Sequence, residues 1–170
     1  EGSNDLMPLA VGKQWKYMSK VGLSTSVETL TVTRQVPVEG RLGFECSGLG
    51  AASELVWKKG ELLAGRLGNT TYRPALPIYS RSTRDWKGIV DTGFARGAAK
   101  ASLSVSDTKI KQGIDEVPAV TCRLTLSDEG KSTLVGQKTL MYHFVKGTGL
   151  VLYEEYSGLA LVKSVRLVDN

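Results

Sequence analysis

The strongest constraint in this chain is a strict alternation of apolar and polar residues that recurs along most of its length. The stretch KASLSVSDT places Ala101, Leu103 and Val105 on one face and Ser102, Ser104 and Ser106 on the other. AVTCRLTLS sets Val120, Cys122, Leu124 and Leu126 against Thr121, Arg123 and Thr125. ETLTVTRQV sets Leu30, Val32 and Val36 against Thr29, Thr31 and Thr33, and RLGFECS sets Leu42, Phe44 and Cys46 against Gly43 and Glu45. Successive side chains of an extended strand point to opposite faces, so this pattern specifies antiparallel sheet with one face in a core and one in water. The best helical candidate, GAASELVWKKGELLAG, is interrupted by Gly60 and reads as a hairpin turning at Lys58-Lys59-Gly60. PVEG at 37–40, DEGK at 128–131 and VKGTG at 145–149 mark further turns.

The alternating segments also echo one another. Trp15-Lys16 and Gly22 return as Trp86-Lys87 and Gly93, at a separation of 71. Leu30 and Val32 return as Leu103 and Val105 at 73, Cys46 as Cys122 at 76, and Lys59-Gly60 as Lys146-Gly147 at 87. The separation only grows, and it grows where turns lie, as an internal duplication with longer hairpin loops in its second copy would produce. The expected organisation is one domain over 1–170, with a first repeat at about 9–66, a linker at 67–84, a second repeat at about 85–157 and a closing strand at 159–168. The linker assignment follows from Pro74, Pro77 and the lack of clean alternation there. Neither half can bury its apolar face alone, so the two must share one interior. The fold class is therefore all-β: an antiparallel meander of about 9–11 strands forming a barrel or half-barrel, with a two-sheet sandwich as the alternative.

Composition narrows function more by exclusion than by assignment. With 170 residues, 41% hydrophobic and 23% charged, the chain has the makeup of a soluble globular domain. No apolar run approaches the roughly 20 residues of a membrane-spanning helix. The net charge of +5 is spread over both halves without a basic block, which argues against nucleic acid as a partner. The polar lead EGSND fits either a processed N-terminus or added residues.

Motifs for catalysis are missing. His143 is the only histidine, on a strand where Leu140, Tyr142 and Phe144 share one face and Met141, His143 and Val145 the other. One His with two Cys, and no Cys-x-x-Cys, does not make a common zinc site, and no Gly-x-Ser-x-Gly holds a nucleophile. KGTGLV lacks the trailing Lys-Ser/Thr of a phosphate-binding loop and reads as a tight turn. Glu154 and Glu155 are neighbours on a strand and point to opposite faces. Glu154, in phase with Leu150, Leu152 and Tyr156, is the expected interior acid, in need of an Arg or Lys partner. No catalytic residue, metal or cofactor is assigned.

MPLAVGKQWKY at the start and YHFVKGTGLVLYEEY near the end resemble a diffuse set of small bacterial envelope proteins. The matching residues are Pro8, Leu9, Gly12, Trp15 and Tyr17, then Phe144, Gly147, Gly149, Leu150 and Glu154. This resemblance implies an exported, β-rich protein, periplasmic or secreted, with a lipid anchor on its precursor as one form. It brings no catalytic residues. The meander is also similar, architecturally, to the half-barrel of the LolA/LolB lipoprotein carriers. In an exported protein two cysteines often pair, and Cys46 and Cys122 occupy equivalent inward positions. A disulfide between them and two buried free thiols are both open.

Two functional readings follow. In the first, Trp15, Tyr17, Trp57, Trp86, Tyr142, Phe144, Tyr153 and Tyr156, with Glu154, line a cavity between the halves that holds a lipid or other hydrophobic ligand. In the second, the aromatics fill a solid core and the protein joins an envelope assembly through a sheet edge. Lys163 and Arg166 on the last strand would then guard that edge against indiscriminate pairing.

Overall fold

The computed structural model describes residues 5–168; the lead residues 1–4 lie outside this range. Twelve strands follow one another: β1 (Gln14–Val21), β2 (Ser24–Val38), β3 (Arg41–Gly48), β4 (Ala51–Lys58), β5 (Glu61–Leu67), β6 (Thr70–Tyr79), β7 (Asp85–Asp91), β8 (Arg96–Gln112), β9 (Asp115–Asp128), β10 (Lys138–Val145), β11 (Gly149–Ser157) and β12 (Ala160–Leu167). Each pairs antiparallel with its sequence neighbours, and β1 pairs with β12, so the meander closes into a barrel. No helix occurs among the described residues.

Alternation produces this closure directly. On β1 the residues Trp15, Tyr17 and Ser19 are buried and those between them are exposed. Cys122, Leu124 and Leu126 on β9 repeat the pattern. Apolar residues face in, while Lys16, Thr29, Lys100, Ser102 and Arg123 face water. A membrane-spanning barrel shows the reverse, an apolar belt outside. The Lys59-Gly60 turn joins β4 to β5 with φ of 49° and 80°, the left-handed pair that a two-residue hairpin needs.

The sequence echo has a geometric counterpart. Trp15 and Trp86 lie on β1 and β7, Leu30 and Leu103 on β2 and β8, Cys46 and Cys122 on β3 and β9. The Lys59-Gly60 and Lys146-Gly147 turns join β4–β5 and β10–β11. Every echoed pair falls six strands apart on the ring of twelve.

Two expectations change, and the open reading of the cysteines resolves. The segment expected as a linker contains β6, which raises the strand number to twelve. Its prolines hid it: β6 pairs with β7 only through Thr71, Tyr72 and Arg73, so Pro74 and Pro77 lie beyond that ladder and owe it no N–H. The sheet has no open edge for a partner strand, because β12 is flanked by β1 and β11. Lys163 is accordingly not an edge guard; it pairs in register with Glu155 at the rim of the interior. Finally, Cys46 and Cys122 are both free and buried, not bridged. They sit six strands apart, on facing walls.

Up-and-down connectivity gives the barrel two different ends. The residues before β1 cross one of them. Leu6 and Met7 are buried there, the Trp57 indole N–H donates to the Met7 carbonyl (2.9 Å), and the Gly147 amide to the Asp5 carbonyl (2.8 Å). The Trp15 indole donates to the Thr148 carbonyl (2.7 Å) and the Tyr17 hydroxyl to the Leu150 carbonyl (2.8 Å). These bonds tie β1 and the lead to the β10–β11 hairpin and close this end. A second, smaller core of Val36, Val38, Val56, Leu63 and Ala75 packs apart from the main one.

Candidate functional site: an apolar cavity with a polar rim

The opposite end is not filled. A cavity of about 340 Å³ reaches from Met7 of the lead to the β3–β4, β5–β6 and β7–β8 turns, at Leu49, Gly68 and Thr92. Its wall is apolar: Leu30, Leu55, Leu62, Ile78, Val90, Leu126 and Leu140 come from seven different strands. Such a size lies at the lower end for small-molecule sites, which span roughly 300–1,000 Å³.

The wall also carries polar groups, most of them on β10–β12, with Tyr72 of β6 across from them. Tyr72, Tyr142 and Tyr153 line the cavity with Glu155, Lys138 and Lys163. The rings of Tyr142 and Tyr153 are 5.0 Å apart, and Tyr142 stacks on Phe144 at 6.2 Å. Lys138 Nζ lies 3.7 Å from Glu155 Oε1. None of the three phenol hydroxyls donates to another group of the protein among the described residues. All three phenols titrate above their ordinary value: Tyr72 is pushed up to about 12 by burial and then by the Glu155 charge. Tyr142 and Tyr153 are raised further, again chiefly by burial. They are therefore neutral donors at any physiological pH, facing a cavity in which Glu155 is the one carboxylate and Ser53, Thr70 and Thr92 supply hydroxyls.

A loop at 129–137 borders the mouth, contributing Leu134 and Val135. Asp128 holds it. Its Oδ1 accepts from the Val135 amide (2.9 Å) and the Ser132 hydroxyl (3.1 Å), and its Oδ2 from the Gly136 amide (2.7 Å). Partial burial works to raise this carboxyl's pKa, but the donated hydrogen bonds outweigh it and hold the group below its ordinary value.

Of the aromatics expected to line a cavity, the structure brings Tyr142, Phe144 and Tyr153 to it. Trp15 and Tyr17 instead seal the closed end, and Trp57 braces the lead. Trp86 packs edge-on against Tyr72 behind the wall, its indole donating to the Pro74 carbonyl (3.1 Å). Glu154 and Tyr156 face outward. A bulge in the β10–β11 ladder, between His143 and Phe144, moves the inward phase by one residue. Glu155 rather than Glu154 thereby becomes the interior acid.

On the outside, Glu154 enters a chain of bonds across four strands. Thr108 and Thr121 share a hydrogen bond of 2.8 Å, Thr121 meets His143 Nδ1 at 2.8 Å, and His143 Nε2 meets Glu154 Oε1 at 3.1 Å. The Tyr156 hydroxyl donates to Glu154 Oε2 (3.2 Å). Hydroxyl, imidazole and carboxylate stand in the order of a hydrolytic triad. Thr121, however, is buried under the chain and already bonded to Thr108, so the arrangement braces β8 to β11 rather than presenting a nucleophile.

No family model and no curated protein matches this sequence. Two solved structures share its fold. One is a candidate lipoprotein from Parabacteroides distasonis ATCC 8503, with a TM-score of 0.55 at 11% identity, covering 95% of this chain and 96% of that one. The other is a candidate exported protein with a YmcC-like fold from Bacteroides fragilis NCTC 9343, with a TM-score of 0.51 at 9% identity and the same coverage. At these identities the likeness establishes the fold and carries no site with it. The likeness to the lipoprotein carriers does not extend to this architecture. The barrel is closed, and no helix lines its mouth among the described residues.

Proposed function

We propose that this protein is a non-enzymatic binding protein of the bacterial envelope that takes one small amphiphile into its barrel. The observation that carries the reading is the cavity itself: an apolar wall with three unpartnered phenol hydroxyls and the Lys138–Glu155–Lys163 group opening into it. An alkyl or other apolar body buries against Leu30, Leu55, Leu62 and Leu126. A hydroxyl or oxyanion on the same molecule accepts from Tyr72, Tyr142 and Tyr153, with Lys163 close to the mouth. Apolar bulk with a few converging polar groups is the general character of a small-ligand site. A filled core would have favoured a purely structural role. The envelope location rests on the descriptions of the two structural neighbours, one as a lipoprotein and one as exported.

Native mass spectrometry of freshly purified protein, compared with the denatured mass, tests the reading. Extra mass released on denaturation, and lost in Tyr72→Phe/Tyr142→Phe/Tyr153→Phe, is the expected result. A bare mass in both states, unchanged after phospholipids and fatty acids are offered, would refute it.

A further inference from the structure

The meander places alternate turns at the same end of the barrel, so the β1–β2, β7–β8 and β11–β12 turns all stand on the rim of the cavity mouth. At their tips are Leu23, Phe94 and Leu159, which are 107%, 98% and 102% exposed. Val21, Leu161 and Val162 add further exposed apolar surface beside them. Single exposed hydrophobics are ordinary on any protein. Three fully exposed large ones on one rim, around the opening of an apolar cavity, are not a scatter. At the closed end only Ile114, on the β8–β9 turn, is comparably exposed among the described residues, with Val11 and Leu42 partly exposed.

Charge at the rim has a matching asymmetry. The carboxylates there are engaged: Asp91 accepts from the Gly93 amide, Asp128 from its loop, and Glu155 pairs with Lys138. Lys20, Arg96, Lys131 and Lys163 form no ion pair among the described residues. Apolar side chains on separate protruding turns, set among unpaired cations, suit a surface that is soft, apolar below and anionic above. A rigid protein partner would instead pack a contiguous, complementary core, which three tips on separate turns do not offer. The polar outer wall, with Lys16, Lys100 and Arg123 exposed, limits the contact to the rim.

We infer that this rim docks on an anionic lipid bilayer with the cavity mouth toward the membrane. Leu23, Phe94 and Leu159 enter the acyl boundary, and Lys20, Arg96, Lys131 and Lys163 lie among the headgroups. The inference goes beyond the ligand reading and shares only Lys163 with it; the apolar tips and the other cations lie outside the cavity lining.

Co-sedimentation with vesicles tests it, using phosphatidylcholine alone or with about one third phosphatidylglycerol. The expected result is binding to the anionic vesicles that weakens as salt rises. The L23S/F94S/L159S variant should bind about a hundredfold more weakly, since three apolar tips no longer leave water. I114S, at the closed end, should bind as the wild type does. Wild-type protein that ignores anionic vesicles, or a triple variant that binds them unchanged, overturns the inference. No free ligand is present in this assay, so the two readings fail separately. Protein that carries extra mass in solution yet ignores vesicles refutes only docking. Protein that docks but shows a bare mass refutes only the ligand.

Discussion

Tyr17→Phe isolates one hydroxyl at the closed end of the barrel. Tyr17 is fully buried, and its hydroxyl reaches from β1 to the Leu150 carbonyl on β11 at 2.8 Å. Phenylalanine keeps the ring and its packing, so the apolar burial is unchanged. What is lost is one buried hydrogen bond, and the Leu150 carbonyl loses a donor. Together these are worth about 1–2 kcal/mol, or a fall in Tm of roughly 3–6 °C for a chain of this size. Burial raises the Tyr17 pKa well above its ordinary value, with the neighbouring Cys46 adding to the shift. That fixes the sign of the pH dependence. A group whose folded pKa is raised contributes stability that is full below its unfolded pKa, about 10, and is lost as pH climbs toward the folded value. At one pH unit above the unfolded value, ionisation of the unfolded tyrosine costs the wild type about 1.4 kcal/mol that the variant does not lose. Urea unfolding followed by tryptophan fluorescence at pH 7 and again near pH 11 reads both quantities. The variant should be less stable at pH 7, with the same m-value, and nearly equal to wild type near pH 11. An equal stability at pH 7, or a gap that persists unchanged at high pH, would refute the placement of this hydroxyl.

Other consequences can be checked as directly. Burial pushes the thiols of Cys46 and Cys122 up to about 11 and about 12, so iodoacetamide at pH 8 should label neither in the native protein and both in urea, as read by mass. Asp128→Asn removes the charge that three donors address, and amide exchange across 132–136 should quicken by about tenfold at pH 7. Because that carboxyl is held below its ordinary value, its contribution is present above about pH 4 and is lost as pH falls through the folded value, so the variant and wild type should converge in acid. Gly48→Ala should cost about 3 kcal/mol in thermal unfolding, since Gly48 has a φ of 124° and a Cβ there runs into the Thr29 carbonyl on the adjacent strand.

The sheet was legible in the sequence because alternation is a local property, readable wherever a strand carries it cleanly. Leu103, Val105, Cys122 and Leu124 needed no partner to show their face. β6 was not legible, because Pro74 and Pro77 are compatible with a strand only where a neighbour makes no demand on their amides, and that depends on where β7 stops pairing. The site was legible only in part for a related reason. Tyr142 and Phe144 follow from phase, but Tyr153 and Glu155 face in because the β10–β11 ladder slips after His143, and a bulge leaves no mark on either strand alone. Tyr72 lay inside the supposed linker, and Lys163 was assigned to an edge that closure removes. Whether the aromatics fill the interior or surround a void depends on the sum of their volumes against the girth of twelve strands, which no short stretch contains.

The seam between β1 and β12 has a consequence for how the chain finds this shape. Every other ladder joins strands adjacent in sequence, so each can form as a hairpin soon after its turn does. The seam alone joins the two ends of the chain, and it is short, running only from Tyr17 to Val21 against Leu167 to Lys163. Its loop-closure entropy is the largest in the molecule, and it is compensated only once the intervening strands have curled into place. The barrel is therefore a zipper whose last tooth meets its first. Circular permutants that join the present termini and cut at the Lys59-Gly60 turn would convert the seam into a hairpin and fold faster, while a chain ending before β12 would present two raw sheet edges and assemble with its own copies.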